Sequence, residues 1–352
     1  MKTNKKQERR KGDPMPCSML GIINASNDFN TFQNLTAHRS LASLPFAGRY
    51  RLIDFMLSNM VNSGITNVAI FTGLEIRSLM DHLGSGKQWD LDRKRDGLFV
   101  FTPDGNSGNE RFGSFAHFAR NITYFLRSKQ EYVVITNCYT IGTIDFCKIL
   151  DNHIEVQADI TEVFYEGKSL QTFILKKNNL LSLFEQYKNQ GYYSILDVVH
   201  DKRHKFQINK YEWTGYIAII DSLQSYYQNS LDLLQPTVWK QVFTKDEPIF
   251  TKVKDEPPTR YKKDAKVANS LIANGCNIEG EVENSILFRS VKVGNGAVVR
   301  NSVIMQKCQI GENCLLDGVI IDKDVKIEDG VQLKGTLVAP YVVEKGTIQK
   351  GR

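Results

Sequence analysis

Between Val293 and Leu333 an aliphatic residue returns every five or six positions, at Val293, Val299, Ile304, Ile310, Leu316, Ile321, Ile327 and Leu333. Glycine, asparagine or aspartate sits close by, as in Val293-Gly-Asn-Gly-Ala297, Ile310-Gly-Glu-Asn-Cys314 and Ile327-Glu-Asp-Gly-Val331. One inward aliphatic in about six residues is the pattern of a left-handed parallel β-helix, in which each flat face takes about one hexapeptide and each coil about three. Stacked coils then bury a continuous aliphatic column. The alternative, a β-sandwich with coincidental spacing, has to produce eight matches in a row.

The rhythm before this repeat is different. Leu20-Gly-Ile-Ile23 reads as a first strand, and Tyr50 to Val61 puts Leu52, Phe55, Met56 and Met60 on one helical face, with Gly64 as the stop. Val68-Ala-Ile-Phe71 is the next strand, followed by a helix expected from Leu74 to Leu83. Phe115, Phe118, Ile122 and Phe125 repeat the helical spacing ahead of a buried strand, Tyr132-Val-Val-Ile-Thr136. Strand–helix alternation of this kind predicts an α/β layer with a largely parallel sheet. Four of the nine prolines fall at Pro236, Pro248, Pro257 and Pro258, in a stretch that also carries Lys245-Asp-Glu and Lys254-Asp-Glu. The expected division is therefore a disordered basic leader over 1–15, an α/β domain over 16–235, a Pro-rich linker over 236–260 and a β-helix over 261–352.

The net charge of +6 is concentrated at the start, because residues 1–12 hold six Lys or Arg and one Glu. The rest of the chain is nearly neutral, so no nucleic-acid partner is expected. No apolar run approaches the ~20 residues of a membrane helix, and the basic leader has no apolar stretch behind it. The expectation is a cytoplasmic protein without a membrane partner. The six cysteines, Cys17, Cys138, Cys147, Cys276, Cys308 and Cys314, form no C-x-x-C pair and read as reduced, mostly buried thiols with no redox role.

The segment Leu44-Pro-Phe-Ala-Gly-Arg-Tyr-Arg-Leu-Ile-Asp-Phe-Met-Leu-Ser-Asn59 resembles the P-F-G-G-K-Y-R-L-I-D-F-x-L-S-N stretch of bacterial ADP-glucose pyrophosphorylases, that is, glucose-1-phosphate adenylyltransferases. Glu279 to Gly294 resembles the C-terminal domain of the same family, so the resemblance covers nearly the whole chain after the leader. It implies an α/β nucleotidyltransferase domain of Rossmann-like type, with a mixed, mostly parallel sheet, followed by a left-handed parallel β-helix. The family's reaction joins ATP and glucose 1-phosphate into ADP-glucose and pyrophosphate for glycogen synthesis.

Nucleotidyl transfer is mostly a matter of positioning charge. It needs backbone N–H groups around the triphosphate, which the family supplies with a G-G-x-G-T-R-L loop after its first strand. Here that stretch reads Asn24-Ala-Ser-Asn-Asp-Phe-Asn-Thr-Phe-Gln-Asn-Leu35, and no glycine occurs between Gly21 and Gly48. The family's R-A-K-P lysine corresponds to Leu41, and no lysine occurs from residue 12 to residue 86. The metal-holding Asp of an S-G-D-H pattern corresponds to Cys138 in Thr136-Asn-Cys-Tyr139, with Asn137 before it. A neutral thiol is a poor ligand for Mg²⁺, which prefers oxygen. The second carboxylate, in W-R-D-V-G-T, corresponds to Ile219, counted back from the helix expected around Tyr226 to Asp232. Glu166-Gly-Lys168 is a weak echo of the family's E-K-P sugar-phosphate motif.

With the degenerate positions Leu41, Asn137, Cys138 and Ile219, the chain resembles the GlgD-type, non-catalytic subunit that accompanies a catalytic partner in some bacteria. The resemblance implies no catalytic residue and no metal in this chain, with Mg²⁺ only in the catalytic partner. It also implies a mixed tetramer with a catalytic ADP-glucose pyrophosphorylase subunit. The alternatives are a diverged but active glucose-1-phosphate adenylyltransferase and a stand-alone sugar-phosphate sensor. Arg39, Arg49 and Arg51 are the candidates for a phosphorylated effector, since guanidinium forks suit phosphate; otherwise they pair with Asp54 or other carboxylates. Acyltransferases built on β-helices use a histidine base, whereas all six histidines here precede the Pro-rich stretch.

Overall fold

The computed structural model describes residues 17–26, 30–103, 115–203 and 205–351; the leader expected over 1–15 lies outside them. Seven strands form the sheet of the first domain: β1 (Met19–Ala25), β2 (Asn67–Thr72), β3 (Gly97–Phe101), β4 (Tyr132–Asn137), β5 (Ile160–Tyr165), β6 (Lys168–Lys176) and β7 (Ile208–Glu212). Their order is β7-β5-β6-β4-β1-β2-β3. All pairs are parallel except those of β6, which runs antiparallel to both β4 and β5. The central strands are continuous apolar runs because both faces of the sheet are covered. Ile23, Ile70 and Val134 enter one core, and Ile22, Ala69 and Val133 enter the other.

The expected helix over Tyr50 to Val61 is present as Leu52–Asn62. Its neighbour starts later than the spacing implied, at Arg77 rather than Leu74. The carbonyl of Glu75 is taken by the backbone N–H of Ser40 at 3.2 Å, which fixes the preceding turn outside the helix. The run from Phe115 to Phe125 is two short helices, Phe115–Arg120 and Ile122–Arg127. Asn121 separates them, its side-chain amide donating to the His117 carbonyl at 3.0 Å in competition with the helical ladder.

The repeat forms three parallel sheets that wind as one solenoid, with strand columns starting at Arg260–Tyr261, Lys266–Ala268 and Leu271–Ile272. Val293 pairs with Ile310 and Ile310 with Ile327, a coil of 17 residues rather than three full hexapeptides. The short step is the one from Val299 to Ile304 and from Leu316 to Ile321. Each corner needs a left-handed residue, and these stack in columns: Asn269, Asn284, Asn301 and Gly318 at one corner, Ser290, Lys307 and Asp324 at another. That requirement explains the Asn, Asp and Gly residues beside the aliphatics. The first of these corners carries a polar ladder, with Asn269 donating to Asn284 at 2.8 Å and Asn301 to Asp317 at 2.9 Å.

One face of the solenoid is apolar on both sides. Leu287, Ile304 and Ile321 point into the coil, while Ile286, Val303 and Ile320 join the core of the α/β domain. The two domains are thus packed through a shared apolar layer. The 236–260 stretch between them is a packed strap instead of a bare linker. It begins with a helix, Pro236–Val242, whose proline occupies the first turn where no N–H partner is needed. It continues along the helix Leu52–Asn62, where the Phe250 N–H donates to Ser58 Oγ at 2.8 Å and Ile249 is buried. Among the described residues, no helix is long and apolar enough to cross a membrane.

Candidate functional site

The crevice at the carboxyl ends of β1 and β4 is where a sheet of this type places a ligand. Asn24 and Asn137 are register partners there, with Cys138 following directly. The chain leaving β1 enters a 3₁₀-helix, Asn30–Thr36, that turns Phe32 and Leu35 into the core at 0% and 1% exposure. Residues 27–29 of this stretch lie outside the described residues. Side chains, rather than a ring of glycine amides, therefore occupy the described part of this segment. Leu41 is buried in the same core.

Asn137 is fully engaged in holding its own turn. Its side-chain oxygen accepts from the N–H groups of Tyr139 at 2.9 Å and Thr140 at 3.0 Å, and its amide donates to the Leu170 carbonyl at 2.7 Å. Cys138 has no exposed surface, and burial pushes its thiol up to about 12, so it is neutral. Ile219 pairs with Thr140 across an antiparallel ladder. Neither Cys138 nor Ile219, the two positions that the resemblance matches to metal-holding carboxylates, carries a side-chain oxygen. The residues present do not fit Mg²⁺. Glu166-Gly167 forms a two-residue turn between paired Tyr165 and Lys168, both with positive φ (48° and 71°), the geometry of a tight hairpin. It is a connection between β5 and β6.

A second cleft lies where the α/β domain, the strap and the solenoid meet. A cavity of about 150 Å³ is lined by Arg49 and Arg51 from the first domain, Lys252 and Lys254 from the strap, and Arg289, Lys307 and Lys323 from the solenoid. Asp324 is the one carboxylate in that lining. An adjoining cavity of about 570 Å³ shares Arg49, Lys252, Lys254 and Arg289. Crowding of cations shows in their proton affinities. Burial, then the neighbouring guanidinium groups of Arg51 and Arg39, pushes Lys323 down to about 7. Burial likewise brings Arg51 down to about 10, and lowers Lys254 and Arg289. Arg51 is held in place by Ser78, donating to its carbonyl at 2.5 Å and its hydroxyl at 2.9 Å. The floor is a buried pair in which His82 Nε2 meets Asp54 Oδ1 at 2.5 Å.

Arg39, the third candidate from the sequence, does not line this cleft. It is 3% exposed, and its Nη2 donates to both carboxylate oxygens of Asp322 in the solenoid, at 2.8 and 2.7 Å. The cations that sequence reasoning missed come from different segments, which no local motif connects. The solenoid members do carry a signal: Arg289, Gln306 and Lys323 are one coil apart, so they stack in one column beside Lys307.

Residues 31–172 match the nucleotidyl transferase family, and residues 257–336 match the GlmU-like C-terminal hexapeptide family. The chain is 58% identical over 333 residues to the glycogen biosynthesis protein GlgD of Geobacillus stearothermophilus, covering 94% of this chain and 97% of that protein. The chain belongs to the GlgD family of glycogen biosynthesis proteins. GlgD of Bacillus subtilis is 52% identical over 332 residues, again covering 94% of this chain and 97% of that one. The glucose-1-phosphate adenylyltransferase of G. stearothermophilus is more distant, at 30% over 320 residues, covering 80% of this chain and 83% of that protein. The GlgD family and the adenylyltransferases thus share the two-domain body, and the sequence-level assignment to the pyrophosphorylase family and to glycogen biosynthesis holds.

Proposed function

We propose that this chain is a non-catalytic subunit that assembles in the cytoplasm with a catalytic glucose-1-phosphate adenylyltransferase and alters its kinetics. The observation that carries this reading is the crevice at the ends of β1 and β4. There Phe32, Leu41 and Cys138 are core residues and Asn137 is consumed by its own turn. A chain that keeps both domains while filling its reaction centre is suited to acting through contact with a partner. Such contact changes the partner's saturation curve if it differs between two states of that partner. Co-expression with the catalytic homologue of the same cell tests this. Elution as one mixed oligomer, with a shifted glucose 1-phosphate curve, is expected. Separate elution with unchanged kinetics at micromolar protein overturns the proposal and leaves the stand-alone sensor.

The cationic cleft favours a second element of the same function, the binding of a phosphorylated effector. Seven cations around a small cavity with one carboxylate form an environment that an anion relieves. Arg49 and Arg51 belong to that reading, and Arg39 does not. Titration with glucose 1-phosphate and inorganic phosphate should show binding that weakens with added salt. Arg289→Ala should weaken it by about tenfold, the effect of one lost charge-assisted hydrogen bond. Lys323 is charged below about 7 and neutral above it, so affinity for glucose 1-phosphate, whose second ionisation at about 6 is then complete, should fall as pH rises above 7. Saturation unaffected by Arg289→Ala, or no binding at millimolar ligand, removes the effector from the proposal.

A further inference from the structure

One face of the solenoid carries a side-chain pattern that is complementary to itself. In the strand column that starts at Lys266–Ala268, the middle residue of each strand from Val282 to Leu333 is buried, and its two neighbours point outward. The second outward position reads Glu283, Arg300, Asp317 and Lys334 in successive coils, each in register with the next. Charge alternates along this ladder, and Arg300 Nε lies 3.3 Å from Glu283 Oε2. The first outward position reads Glu281, Val298, Leu315 and Gln332, two apolar residues between two polar ones. Leu315 is 41% exposed, and the side chains of Arg300 and Glu283 are 48% and 51% exposed.

We propose that this face docks a second copy of the chain, set antiparallel about a two-fold axis that runs along the strands between the coils of Val298 and Leu315. An alternating ladder of four charges is complementary to its own reverse. Under that axis Arg300 meets the partner's Asp317 and Glu283 meets the partner's Lys334, and symmetry makes each contact twice. The apolar pair has the same centre, so Val298 meets the partner's Leu315 while Glu281 meets the partner's Gln332. Two separate columns thus share one midpoint, which a solvated face does not require. The other two-fold, along the solenoid axis, would exchange the columns and set Glu281 against the partner's Glu283. Charge therefore fixes the register, and Val298 and Leu315 supply the desolvated centre. Eight side chains per copy fall short of the ~20–30 residues of a stable interface, so the dimer is weak and concentration-dependent. It needs no catalytic homologue, so it stands or falls separately from the mixed assembly.

Sedimentation equilibrium of the pure full-length chain, from micromolar to near-millimolar concentration, should show monomer and dimer in exchange, with salt favouring the monomer. Arg300→Asp sets like charges face to face at two symmetric places and should weaken the dimer by about tenfold or more. Leu315→Glu, which leaves the ladder alone, should also shift the equilibrium to monomer. Adding Asp317→Arg to Arg300→Asp separates a ladder that acts between copies from one that acts only within a chain. With both substitutions the ladder reads negative, negative, positive, positive. Like charges then lie side by side within each chain, yet the ladder is still complementary to its reverse, so the double variant should regain the dimer. A monomer at every concentration overturns the proposal. So does a dimer that Arg300→Asp and Leu315→Glu leave intact, or one that the double variant does not regain.

Discussion

Pure protein incubated with ATP, glucose 1-phosphate and Mg²⁺ should release no measurable ADP-glucose, against the ~1–1000 s⁻¹ of an ordinary enzyme. The reaction needs negative charge on the transferring phosphoryl group to be met by positive charge already in position. Along the stretch that would supply it, Phe32, Leu35 and Leu41 are all packed inward, and none of them carries a charge. Cys138 is neutral and fully buried, and Ile219 has no oxygen to offer a metal. Restoring one group should not help. Cys138→Asp would add a carboxylate, but at a position with no exposed surface and with no second ligand beside it. Unpaired burial of that charge should destabilise the fold by about 2 kcal/mol or more, and turnover should stay at background. Groups that act as a unit are strongly non-additive, so three missing parts are not recovered by one. Robust ADP-glucose formation by the single variant would falsify the reading of this crevice.

Much of this architecture was legible because it is written in periodic side chains. The five- and six-residue spacing from Val293 to Leu333 corresponds to the buried column of the solenoid, and the apolar runs of β1, β2 and β4 correspond to a sheet covered on both sides. The junction between the domains was not legible, although a trace of it is present. The doublets Ile286-Leu287, Val303-Ile304 and Ile320-Ile321 carry an extra aliphatic that a solvent-facing coil would not need. Their outer members are the contact with the α/β domain. Prolines and charges alone point to a linker over 236–260, because proline marks both a helix start and a chain break. Pro236 is the former. The cationic cleft was half visible: Arg49 and Arg51 lie in a recognisable segment and Arg289 shows as one step of a column one coil apart, while Lys252 and Lys254 arrive through tertiary folding alone. Arg39 takes the second of the two courses open to it, pairing with a carboxylate. Its carboxylate partner lies 283 positions away, and nothing local announces it.

That partner makes the largest stability prediction. Arg39 and Asp322 are 3% and 1% exposed, so each charge depends on the other in the absence of water. Asp322→Ala would leave a buried guanidinium whose other neighbour is the Met305 sulfur at 3.7 Å. The expected loss is about 3–5 kcal/mol, which should lower the midpoint of thermal unfolding by roughly 4–7 °C. The double replacement of Arg39→Met with Asp322→Leu removes both charges together. It should recover most of the loss, because an apolar pair needs no desolvation of ions. The same set separates two roles for Arg39. As an interdomain tie, its removal by Arg39→Ala lowers the melting midpoint; as a ligand for phosphate, it would abolish anion binding and leave the midpoint alone. Arg39→Ala also takes away one of the cations that depress Lys323. Lys323 should then hold its proton to higher pH, and phosphate binding at the neighbouring cleft should persist further above pH 7. Loss of phosphate binding with an unchanged midpoint would move Arg39 from the fold into the site.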